Sequence, residues 1–146
     1  MKKISILLLL SFFCVGNVLA EDRYFAVTKV LNTTNDVKTV TIVMTNDKKD
    51  CISLLNGAIE GNNKFKELMK VISSECLDRL PPEYLRAFNN KPIRGVMYVA
   101  YTNIVWPSRV LMYGIDESWL SDQGCSLLAD NYKSFDKNAH CVYAEK

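Results

Sequence analysis

The chain has 146 residues, 49% of them hydrophobic and 23% charged, with 18 Lys and Arg, 16 Asp and Glu, one His and five Cys. Those proportions fit one ordinary folded domain. They exclude a disordered tail, a coiled coil, a collagen-like repeat and a multi-span membrane protein, and they select no chemistry.

The chain opens Met1-Lys2-Lys3, continues apolar from Ile4 to Val15, and then reads Gly16-Asn17-Val18-Leu19-Ala20. A short basic stretch, an apolar run and a small-residue exit describe a secretory signal peptide cut after Ala20. The run is short of the roughly 20 residues that a bilayer span needs. Bulky Phe12 and Phe13 precede Cys14, unlike a lipoprotein signal, so Cys14 belongs to the discarded segment. The expected organisation is a cleaved signal over residues 1–20 and a single periplasmic or secreted domain over residues 21–146. Without Lys2 and Lys3, 16 basic residues face 16 acidic ones. A nucleic-acid partner needs a cationic surplus to displace counterions, and none exists here.

Along the remaining chain, Tyr24–Leu31 is aromatic and β-branched and reads as a strand. After the turn residues 32–36, residues 38–45 alternate: Val40, Ile42 and Met44 point one way, Thr39, Thr41, Val43 and Thr45 the other. Asn46–Asp50 offers helix caps. Cys51, Leu54, Leu55, Ala58 and Ile59 then follow at helical spacing, until Gly61-Asn62-Asn63 breaks the pattern. Phe65, Leu68, Met69, Ile72 and Cys76 predict a second helix, ended by Pro81-Pro82, with one more helical turn over residues 83–88. Residues 95–105 read as a central strand, Trp106-Pro107-Ser108 as a turn, and residues 109–115 as its partner. Leu120, Leu127, Leu128, Tyr132 and Phe135 mark a last helix with a weak point at Gly124, and residues 139–144 a closing strand. The sum is an α+β fold: a small antiparallel-rich sheet with helices on one face, in the ferredoxin-like order ββααββαβ.

Cys51, Cys76, Cys125 and Cys141 are an even set for an oxidising compartment, with three pairings open. Bonded cysteines need Cα atoms within about 7 Å. A helical hairpin broken at residues 61–63 brings Cys51 to Cys76. A climb of about 15 Å along the last helix, and a return along the strand, brings Cys125 to Cys141. Two disulfides, Cys51–Cys76 and Cys125–Cys141, therefore staple the domain. No two cysteines have the close spacing of a zinc site, so no metal is expected.

If Cys141 points at the helices, alternation sends His140 to the helix-free face, with Thr39, Thr41 and Thr45 and some of Tyr98, Tyr101 and Tyr113. The competing reading is that these tyrosines pack and His140 is simply exposed. No phosphate loop, GxSxG elbow or HExxH is present, and His140 is the only imidazole. These features point to an exported protein-binding module without a cofactor, such as an inhibitor or immunity-type partner of a secreted enzyme or toxin. Trp106, His140, Tyr98, Tyr101 and Tyr113 are its candidate contacts, Trp106 being the exposed anchor. The alternatives are a small envelope hydrolase using His140 or clustered carboxylates, and a structural envelope or adhesin module.

Overall fold

In a computed structural model, residues 22–143 are described; the signal segment, Cys14 and the cut at Ala20 lie outside them. Six strands form one antiparallel sheet: β1 (Tyr24–Asn32), β2 (Lys38–Thr45), β3 (Met69–Leu77), β4 (Met97–Asn103), β5 (Trp106–Tyr113) and β6 (His140–Tyr143). Their spatial order is β3-β1-β2-β5-β4-β6. Three α-helices accompany it: α1 (Lys48–Asn63), α2 (Pro82–Phe88) and α3 (Asp122–Asp130). The fold is α+β, but the order is not that of a ferredoxin-like sheet.

The difference arises at residues 65–77. The spacing predicted a helix there, whereas Met69–Leu77 is an edge strand paired with β1. Phe65, Leu68, Met69 and Ile72 are all exposed, so their 3–4 periodicity marks no buried stripe. Pairing with β2 leaves the other edge of β1 bare, and β3 supplies the missing hydrogen-bond partners. A register shift at Lys29/Val30 bends this outer ladder. The hairpin turn also moves. Residues 104–105 make it, and Trp106 and Pro107 begin β5. Pro107 is tolerated because pairing with β2 extends only to Ser108, so the missing N–H breaks no ladder on that side. The last helix stops at Asp130, short of Phe135, and Phe135 is exposed.

Residues facing each other across a ladder share a sheet face. One such row runs Thr28, Thr41, Val110, Val99, Cys141; the next runs Val27, Ile42, Arg109, Ala100, His140. Helices cover both faces, not one. Ala87 of α2 packs with Val27, Val40, Ile42, Tyr98 and Leu111, and this is the larger apolar core. On the opposite face, Cys51 and Leu55 of α1 pack on Ala26 and Val43. That face also carries α3, because Cys141 projects to it and bonds Cys125.

The bridges are Cys51–Cys76, with Cα atoms 6.0 Å apart, and Cys125–Cys141, with Cα atoms 5.4 Å apart. Loops of 25 and 16 residues closed in this way each contribute about 3 kcal/mol in the chain-entropy picture. Each bridge ties a helix to an outermost strand, α1 to β3 and α3 to β6. Two disulfides suit an oxidising compartment. Among the described residues, no helix is long and apolar enough to cross a membrane.

Candidate functional site

The five candidate contacts do not converge. Tyr98 lies on the α2 face, fully buried, and its hydroxyl donates to the Lys91 carbonyl at 2.9 Å. Tyr113 shares that face and donates to Glu83 Oε1 at 2.6 Å; burial, then this carboxylate, pushes its phenol far above the usual range. Tyr101 is on the other face, its ring tilted by 42° against that of Tyr132 at 4.9 Å between centroids, and burial raises the Tyr132 phenol to about 12. Trp106 is half-buried against the cluster around Cys51 and Leu55, so its indole closes the sheet end and is no exposed anchor. His140 is exposed on edge strand β6, on the α2 face.

The threonines are also not on the face of His140. Thr28, Thr39 and Thr41 share the face of Cys141, because Val40 and Ile42 turn to the α2 core. The inversion follows from a helix lying on each face, which a single core side did not anticipate.

His140 Nδ1 lies 3.3 Å from the Asn138 carbonyl, and no hydroxyl or thiol is bonded to the ring among the described residues. Asp136 accepts from the backbone N–H groups of Asn138 and Thr102, at 2.9 and 2.8 Å, and these bonds hold its carboxyl below the usual carboxylate range. That carboxylate fastens the α3–β6 connection to β4 and is not poised as a base. No three His, Cys, Asp or Glu side chains converge as a metal site among the described residues.

Two features carry no signal that the sequence reading used. The first is the tip of the β4–β5 hairpin. A two-residue loop whose first residue alone has positive φ is a position for glycine. Here Ile104 occupies it at φ 60°, with 88% of its surface exposed, beside Val105 at 66%. The second is a cleft of about 830 Å³ between α1 and α3, floored by threonines of β1 and β2. It continues into a recess of about 320 Å³ that shares Thr28, Thr41 and Ala58 and reaches Tyr101. Gly124 shapes one wall, since a Cβ there would clash with the Trp119 carbonyl oxygen.

The class these observations define is a disulfide-stapled α+β sheet protein with helices on both faces, an exposed apolar hairpin tip and a cleft between the two helices of one face. No protein-family model, curated protein or solved structure matches the chain.

Proposed function

We propose that this is an exported binding protein that engages another protein through the β4–β5 hairpin tip. One observation carries the reading. A β-branched residue in the left-handed region costs about 1–3 kcal/mol, and Ile104 spends its side chain on solvent rather than on the core. The fold gains nothing from isoleucine at this place, whereas a partner with an apolar pocket does. Exposed aliphatic residues at a rigid protrusion suit insertion into such a pocket. Residues 102–108 carry no charged side chain, and the chain without its leader is formally neutral. That pattern favours an apolar protein pocket over an anionic membrane surface, which attracts Lys and Arg. The half-buried Trp106 contributes from behind, by bracing the base of the hairpin.

The test compares wild type with Ile104→Gly as bait against envelope extract, beside sedimentation with anionic and neutral vesicles. The expected result is a partner retained by wild type and lost by the variant, with no vesicle binding. Equal retention by both baits, absence of any partner, or vesicle binding that depends on Ile104 overturns the proposal.

A further inference from the structure

The cleft on the α1/α3 face supports an inference that does not depend on the hairpin tip. In a two-layer fold, helices on one face of a sheet pack together at about 8–10 Å between axes. Here α1 rests chiefly on β3 and β1, and α3 on β6 and β4. The midpoints of those strand pairs are four strand spacings apart, about 19 Å. The helices are therefore separated by about one helix width, and each is covalently held to its own side of the sheet. Between them the sheet is open at Thr28, Thr39, Thr41, Met97 and Met112, which form the floor.

The chemistry of this gap is unlike that of a packing defect. On the α2 face, β2 presents Val40 and Ile42, both fully buried. On the cleft face the same strand presents Thr39 and Thr41, half-buried, whose hydroxyls have no hydrogen-bond partner among the described residues. Two central strand positions that collapse would fill with aliphatic groups thus hold donors and acceptors instead. The rest of the lining is largely apolar, with Met97 and Met112 on the sheet and Leu127 and Leu128 on α3. Asn62 of α1 and Asn131 of α3 stand on the opposing helices. Among the described residues no Lys, Arg or His lines the cleft, and the one ionisable group there, Asp116, accepts from the Ser118 N–H at 2.8 Å as a turn cap. A site of about 830 Å³ with apolar walls and a few polar groups on its floor has the dimensions of a small-molecule site.

We infer that the α1/α3 cleft binds one uncharged amphipathic small molecule, its aliphatic body between the methionines and leucines and its hydroxyl or carbonyl groups on Thr39 and Thr41. Among the described residues an anionic headgroup finds no cation in the lining, and a cationic one meets only a carboxylate already used in a turn.

The test uses the processed protein with both bridges intact, the neutral dye N-phenyl-1-naphthylamine, and 1-lauroylglycerol as competitor, with laurate as the charged control. Trp119 lines the cleft, so its emission reports occupancy by the non-fluorescent competitor directly. The expected result is saturable binding of one dye per chain, displaced by 1-lauroylglycerol but not by laurate. Ala58→Phe, which fills the gap from α1, reduces dye affinity at least tenfold. The double variant Thr39→Val/Thr41→Val keeps the shape and the dye affinity but weakens 1-lauroylglycerol about tenfold, the loss of roughly one hydrogen bond. Ile104→Gly leaves all of these values unchanged, which separates this inference from the proposal for the hairpin tip. Dye binding without saturation, equal dye affinity in Ala58→Phe, or displacement by laurate as effective as by 1-lauroylglycerol overturns it.

Discussion

Replacing Ile104 by glycine is expected to stabilise the protein while removing its proposed contact. The residue is held at φ 60° and is 88% exposed, so truncation gives up almost no burial. Relief of the left-handed backbone returns about 1–2 kcal/mol. Glycine's greater freedom in the unfolded chain takes back about 0.5–1 kcal/mol. The difference is a gain of about 1 kcal/mol, which for a domain of this size raises Tm by about 4 °C. Thermal unfolding followed by circular dichroism in non-reducing buffer measures it, with Ile104→Val as the control that keeps the β-branch and the strain. A glycine variant that melts below wild type would show that the loop holds isoleucine without cost, and the argument from strain to a partner would fail with it.

Arg109 is buried, donating to the carbonyls of Ala87, Phe88 and Ser108 and to Asn90 Oδ1 while lying over the Phe88 ring. It closes the end of α2 onto β5, so Arg109→Met orphans those carbonyls and should cost about 3 kcal/mol in urea unfolding. Gly124→Ala drives a methyl group into the Trp119 carbonyl and should cost about 2 kcal/mol, with a shifted Trp119 emission maximum. Asp136 has a folded pKa below its unfolded value of about 4, so its contribution is present above that pH and is lost as pH falls through the lower, folded value. Asp136→Asn should therefore lower stability at neutral pH and flatten the acid limb of the unfolding profile, read as Tm against pH.

Strand residues were legible where one physical rule acted alone. The alternation in residues 38–45 marks β2, and Asp47 caps α1 by accepting from the Asp50 N–H, as its short side chain suggests. The second proposed helix was not legible, because Phe65, Leu68, Met69 and Ile72 fall at helical spacing by coincidence and stay exposed. What decides that segment is the bare edge of β1, a tertiary demand with no local signature. The cysteine couples follow from distance, yet Cys76 reaches Cys51 along a strand rather than a second helix. The site residues suffered from the same blind spot. Tyr98 and Trp106 carry large apolar surfaces, and the sheet used both for packing. The cleft left only the polar phase of β2 as a trace, and that trace reads equally as a solvated strand until a helix is known to lie on each side.

Outer strands are where a sheet ordinarily frays, since each is held by a single neighbour. In this protein both selvedges are stitched down, β3 through Cys76 and β6 through Cys141. Amide exchange near those two sulfurs should accordingly be as slow as in the interior ladders under oxidising conditions, and should become the fastest in the sheet once a reductant is added. A molecule built this way carries a seam that opens from its margins only on chemical command, a property suited to service outside the reducing cytoplasm.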